Sequence, residues 1–278
     1  MKGNIKQISW NLTKYISLLI GAIVVLIPPL VVLFSSFKTK IEYLNTDKLS
    51  LPDSFLNFEN YKVVFEQGNL DVAFKNTAII LVISLIGNVI IGSCVAYALG
   101  RFDFKLKKVI LGAYLVAIMI PSITTQVSTY GIITNLGVNN TLFAPILLYL
   151  GADVLMIYIY LQFIESIPKE LDEAAMIEGA SYFTIFTKVI FPLLAPATST
   201  VIIIKAIAIY NDFYIPFLYI PSEELSVVST VAYKFMGPFG GEWNVICAGV
   251  IMIIIPTIVL FLVLQRFVYS GMTNGSVK

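Results

Sequence analysis

The spacing of its apolar runs constrains this chain more than any other feature. Six runs of about twenty residues occupy 15–37, 77–99, 109–131, 141–163, 197–219 and 245–264, with polar or charged stretches between them. A helix rises about 1.5 Å per residue, so each run is long enough to cross a hydrocarbon layer of ~30 Å. In lipid the backbone must satisfy its own hydrogen bonds, which selects helices here. Hydrophobic residues make up 58% of the chain and charged ones only 13%. A soluble domain has no means of hiding that much apolar surface. The expected fold class is an all-α membrane protein with six transmembrane helices.

The first run follows a short basic start (Lys2, Lys6, Lys14) and contains Pro28-Pro29. It exceeds the apolar core of a secretory signal and no convincing small-x-small cleavage site follows, so it reads as a spanning helix kinked at the prolines. Residues 38–75 are polar, with scattered aromatics (Phe55, Phe58, Tyr61, Phe65), and are long enough to pack as a small cap.

Six spans put both termini on one side. With the N-terminus cytoplasmic, eleven Lys and Arg fall inside and six outside, and five of those six lie in one long loop also rich in acids. The short basic turn at 101–108, with Arg101, Lys105, Lys107 and Lys108, is the cleanest vote. Both termini are therefore expected in the cytoplasm. The segments are 1–14 as a cytoplasmic N-terminus, 15–268 as the six-helix domain and 269–278 as a cytoplasmic tail.

The same orientation places the 165–196 stretch, between the fourth and fifth spans, in the cytoplasm. It carries seven charges between two apolar runs. Pro168 suits the first turn of a helix, where its missing N–H costs nothing. Leu171, Ala174, Ala175 and Ile177 form a short apolar stripe, with Glu170, Asp172, Glu173 and Glu178 around it. Gly179 is a plausible helix stop. Pro192 and Pro196 punctuate the exit. These residues describe a short amphipathic helix at a membrane surface, with two adjacent small residues that let another protein approach.

Glu173-Ala174-Ala175, Gly179, Val189 and Pro192 resemble the EAA loop of ABC importer permeases, whose pattern is EAA, three residues, Gly, nine residues, then Ile-x-Leu-Pro. This chain has Val189 for the Ile and Phe191 for the Leu, and both keep apolar bulk. The flanking Ile167-Pro168-Lys169-Glu170-Leu171 and Gly179-Ala180-Ser181 are similar to the carbohydrate-uptake branch. The ending Gln265-Arg266-Phe267 and Gly271-Met272-Thr273-Asn274-Gly275-Ser276-Val277-Lys278 resembles the maltose-type smaller permease. The resemblance runs from about Ser35 to Lys278. It implies that the 165–196 loop is a coupling helix seated in a separate ATPase, with Glu170, Glu173, Ala174, Ala175, Glu178 and Gly179 at the contact. It also implies a second permease subunit, two cytoplasmic ATPase subunits holding ATP and Mg, an extracytoplasmic sugar-binding protein, and a prokaryotic cell membrane as the site. Phe58-x-x-Tyr61 and Asn76-Thr77 resemble family positions at the outer face; a folded loop without specific contacts accounts for them equally.

No phosphate-binding GxxxxGK[ST] loop, GxSxG, HExxH or CxxC occurs, and there are no His residues. The chain shows no catalytic constellation and no device for binding a cofactor. Cys94 and Cys247 fall inside apolar runs and read as small buried hydrophobes. Three ionisable residues sit in spans: Asp153, Lys205 and Asp212. Charges at that depth usually face a cavity or a partner. Lys205 and Asp212 lie on one helix face about 10 Å apart along the axis, too far for a direct pair. Tyr210-Asn211-Asp212-Phe213 groups an aromatic with hydrogen-bonding side chains, as sugars favour, and resembles the Trp-Asn-x-Phe of sugar permeases. Either these residues line a translocation pathway or they bond helix to helix. Thr124, Thr125, Gln126 and Ser128 on the third run allow the same two readings, with packing preferred; the family often has a proline near Ser128.

The function expected is that of a permease subunit moving a carbohydrate, an oligosaccharide or related sugar, by ATP-driven alternating access. Two other classes stay open on the residues alone. An ion-driven transporter would use Asp153, Lys205 and Asp212 but leaves 165–196 unexplained. A structural subunit of a membrane complex would have no pathway of its own.

Overall fold

A computed structural model describes residues 2–151, 153–237 and 241–274. Among them every regular element is a helix. The chain divides into two compact units, Met1–Leu70 with Val231–Pro256 and Asp71–Thr230 with Thr257–Lys278.

In the first unit α1 (Lys2–Phe37) continues as helix through Pro28 and Pro29. From Trp10 to Leu30 its side chains are exposed along the whole surface, as a lipid-facing span requires. Two short helices follow, α2 (Lys40–Asn45) and α3 (Glu59–Gln67). Thr39 and Glu42 cap α2 reciprocally in a capping box. The Lys38 ammonium is fully buried and donates to the Thr46 Oγ1 (3.1 Å), the Asp47 carbonyl (2.7 Å) and the Ser50 Oγ (2.8 Å). Phe58 and Tyr61 both pack on Phe37, at ring distances of 5.7 and 5.3 Å, and the Tyr61 hydroxyl bonds the Ser36 hydroxyl (2.7 Å). Asn60 donates to the carbonyls of Ser36 and Lys38, and its own Oδ1 accepts from Asn244 (2.8 Å). Trp243 opens the last helix half exposed.

In the second unit α4 (Leu70–Arg101) is one straight-through helix. Three of the other apolar runs are not. The run at 109–131 splits into α5 (Lys107–Met119) and α6 (Ser122–Asn135), at 104° to each other. Pro121 lacks an N–H and forces Ile120 into an extended conformation, which ends α5. The run at 141–163 splits into α7 (Phe143–Leu150) and α8 (Val154–Ser166), bent by 44°. Asp153 is the reason for the restart: it is extended, and its carboxylate accepts from the N–H groups of Leu155 and Met156. The short α9 (Glu170–Ile177) and α10 (Tyr182–Ile185) come next. Phe186–Ile190 forms a π-helical turn, followed by α11 (Phe191–Leu193), α12 (Ala195–Asn211) and α13 (Tyr214–Tyr219). The run at 197–219 is thus interrupted at Asp212. A four-residue α14 (Val228–Val231) and the long α15 (Trp243–Asn274) complete the chain. The expected tail at 269–278 is helical to Asn274; residues 275–278 lie outside the described residues.

Among the described residues two helices, Trp10–Phe37 and Leu70–Arg101, are long and apolar enough to cross a membrane alone. Three bent pairs reach that length together, Lys107–Met119 with Ile123–Asn135, Phe143–Leu150 with Val154–Ser166, and Tyr182–Leu193 with Ala195–Asn211 at 73°; the part Trp243–Val259 of α15 is also apolar.

Helix directions follow from who meets whom. Asn88 on α4 donates to the Tyr149 carbonyl (2.8 Å), Gly92 faces Met156 and Gly100 faces Ile164. Positions rise together, so α4 runs parallel to α7 and α8. Asp153 pairs with Lys205, and the Tyr160 hydroxyl meets the Thr198 hydroxyl (3.2 Å), so α8 and α12 are antiparallel. The main core of this unit lies between these helices: Ala96, Ile157, Tyr160, Ile164, Ile185, Ile190 and Leu194 are all buried together.

Candidate functional site

The 165–196 stretch is built on the end of α4. Pro168 does not open α9. It terminates α8 instead, because Ile167 before it is extended, and α9 begins two residues later with Glu170, Asp172 and Glu173 in its first turn. Those acids meet the positive end of the helix dipole. The helix stops at Gly179, whose φ of +82° is natural for glycine. The Ala180 N–H bonds the Ala175 carbonyl and the Gly179 N–H the Met176 carbonyl, both at 3.0 Å, which is a Schellman ending.

The face that α9 turns inward is not the apolar one. Asp172 is buried, and Ala175 is half-buried against the core, whereas Leu171, Met176 and Ile177 are exposed, Ile177 at 88%. The cause is Arg101, the last residue of α4. Its Nη2 donates to the Ile167 carbonyl (3.0 Å) and lies 3.1 Å from the Asp172 Oδ2. The side chains are 6% and 9% exposed. The Arg–Asp contact is a close pair of charges without the alignment of a hydrogen bond. Sequence reasoning counted Arg101 as one cytoplasmic charge among several; a lone cation at a helix end carries no signal of what it grips. Gly100 makes the grip possible, since a Cβ there would lie 2.7 Å from the Ile164 Cγ2 and push α4 off α8.

With Asp172 consumed, α9 presents outward the acids Glu170, Glu173 and Glu178, the small Ala174, and the apolar Leu171, Met176 and Ile177. Nothing within 4 Å of Gly179 occupies the space where a side chain would stand. A cleft of about 190 Å³ opens beside the ion pair, lined by Tyr97, Phe102, Lys169, Glu173 and Tyr182. The arrangement suits contact with a protein surface. Among the described residues no group of His, Cys, Asp or Glu is placed to hold a metal ion.

The three ionisable residues of the spans come together along one seam. Asp153 at the start of α8 pairs with Lys205 on α12. Asp212 stands one step along the same antiparallel contact, where its Oδ2 accepts from the Tyr149 hydroxyl (3.1 Å). The Asp212 Oδ1 accepts from the N–H groups of Tyr214 and Ile215, and its carbonyl from the Ser229 hydroxyl (2.7 Å). Both aspartates thus cap helices that restart within a broken run. Tyr210 bonds the Thr257 side chain, and Asn211, exposed, turns its amide onto the Ile207 carbonyl. Tyr149 was not singled out from the sequence: a tyrosine in an apolar run looks like bulk until its partner is known. On α6, Thr124, Thr125 and Ser128 are exposed and Gln126 is half-buried. The Asn76 amide donates to the Ser226 carbonyl (3.1 Å), and the Thr77 hydroxyl accepts from the Val228 N–H (3.0 Å).

The family described as binding-protein-dependent transport system inner membrane component matches residues 88–272. The chain is 33% identical to the melibiose/raffinose/stachyose import permease protein MelC of Bacillus subtilis, over 91% of each chain. It is 32% identical to the probable starch degradation products transport system permease protein AmyC of Thermoanaerobacterium thermosulfurigenes, over 96% of this chain and 98% of that one. A crystal structure of a bacterial ABC transporter that imports the acidic polysaccharide alginate contains a chain of the same fold, with a TM-score of 0.81 at 21% identity, covering 92% of this chain and 95% of that one.

Proposed function

Because this chain belongs to the family of binding-protein-dependent transport system inner membrane components, we propose that α9 and its flanks are the surface through which a separate ATPase drives it. The chain is a permease subunit of a carbohydrate ABC import system, a bacterial inner membrane component that is not itself an ATPase. The ion-driven and purely structural readings give way to that membership.

Each bent pair counts as one span, which with α1, α4 and α15 gives six, both termini cytoplasmic. The two ATPase subunits, holding ATP and Mg, close on nucleotide and carry α9 with them. A second permease completes the core, and an extracytoplasmic binding protein delivers the sugar, an oligosaccharide of the kind its relatives import. Glu170, Glu173, Ala174, Ala175, Glu178 and Gly179 form the contact. Asp153, Lys205, Tyr210, Asn211 and Asp212 flank the pathway, where Asp153 and Lys205 neutralise each other. Alternating access then follows from rigid-body rocking of the helices.

The observation that carries the reading is the outward apolar and acidic face of α9, with Asp172 on its other side held by Arg101. Three exposed apolar side chains on so short a helix, Leu171, Met176 and Ile177, call for a partner. The test is a pull-down of the tagged full chain from its native membrane in mild detergent, with mass spectrometry of stoichiometric partners. Recovery of an ATPase, a second permease and a sugar-binding protein is expected. Recovery of the intact chain alone would refute the assembly.

A further inference from the structure

Arg101 is the last residue of α4, and it grips the loop at two points. Its Nη2 bonds the Ile167 carbonyl, ahead of α9, and faces the Asp172 carboxylate, within α9. A second set of contacts holds the other end of the loop. Phe102 meets the Tyr182 ring edge-on at 5.1 Å, and Tyr97 lies 5.1 Å from the Phe186 ring. Entry, helix and exit of the loop are therefore all fastened to the last turn of α4 and the residue that follows it. The pair is nearly dry, so its attraction is poorly screened by water or salt. A guanidinium reaches a carbonyl and a carboxylate at once, which the single ammonium of lysine matches badly.

We infer that Arg101 is a positioning residue that makes α9 and the end of α4 one moving body. This rests on the reading that α9 receives motion from an ATPase. On that basis, displacement of α9 passes to α4 through the Arg101 clasp, in parallel with the route along the chain through α10 and the π-helical turn. Because α4 packs parallel to α8 through Gly92 and Gly100, its displacement reaches the seam that holds Asp153 and Lys205. Neither Arg101 nor Asp172 needs to touch the sugar or the nucleotide.

The test uses the purified complete complex in nanodiscs and hydrogen–deuterium exchange, with ATP plus orthovanadate as the probe. In the unaltered complex, exchange is expected to change both at 170–177 and at 96–101. In Arg101→Ala the change at 170–177 should persist while that at 96–101 falls to under about a third. The swap Arg101→Asp with Asp172→Arg should return at least half of the lost response, which loss of packing alone would not do. If Arg101→Ala does not assemble, Asp172→Asn gives the same comparison at constant volume. A full response at 96–101 in these variants would overturn the inference. So would failure of both variants and of the swap to assemble, which would make the pair merely structural. Absence of any nucleotide response at 170–177 in the unaltered complex would instead sink the reading of α9 itself.

Discussion

Gly179 allows the conformational demand of the loop to be separated from the demand of a partner. Its φ of +82° is disfavoured for any residue with a Cβ, and the penalty is about 1–2 kcal/mol. No atom lies within 4 Å of the place a Cβ would take, so no steric cost arises inside the chain. Alanine and arginine at 179 should therefore loosen the end of α9 equally, by about 5- to 30-fold in the open population. Asparagine, which tolerates this region better, should cost clearly less. Hydrogen exchange at 176–182 on the detergent-purified chain measures that ordering. Recovery of the ATPase in a pull-down measures the partner's demand. There the expected outcome is different: Gly179→Asn and Gly179→Ala retain the ATPase, and Gly179→Arg loses it and uncouples sugar uptake from hydrolysis. An arginine variant that loosens the isolated chain far more than alanine does would show the site is not open. One that still recovers the ATPase and transports normally would refute the docking argument.

Two further outcomes follow from packing. Gly92→Ala should be tolerated, because the Met156 Cε that a Cβ would meet at 2.6 Å is the end of a flexible chain, whereas Gly100→Ala presses on the branched Ile164 and should cost about 1–3 kcal/mol, read as a lower thermal midpoint. Lys38→Met should destabilise the first unit by about 1.5–3 kcal/mol, since it removes the three hydrogen bonds of a buried ammonium while the Asp47 carbonyl keeps the Ser50 hydroxyl and the Thr46 hydroxyl keeps the Glu42 carbonyl; an unchanged midpoint would show that the ammonium's bonds contribute nothing net.

The parts legible in the sequence were those fixed by composition and local chemistry. Apolar runs of spanning length determine a helical membrane protein, because lipid leaves the backbone no other way to satisfy its hydrogen bonds. The position of α9 and its stop at Gly179 were also local facts, written in the acids of the first turn and the one residue free to take a positive φ. What the sequence did not determine is how the helices break and what the charges meet. Pro121 was visible as a proline inside a run, yet the 104° turn depends on where α6 finds its packing. Asp153 and Lys205 are 52 positions apart, and only the antiparallel pairing of α8 and α12 makes them one ion pair. The same holds for Tyr149 with Asp212 and for Arg101 with Asp172. A charge in a chain announces that it needs a partner, but Coulomb attraction acts through space, so which partner it gets is decided by the tertiary structure alone.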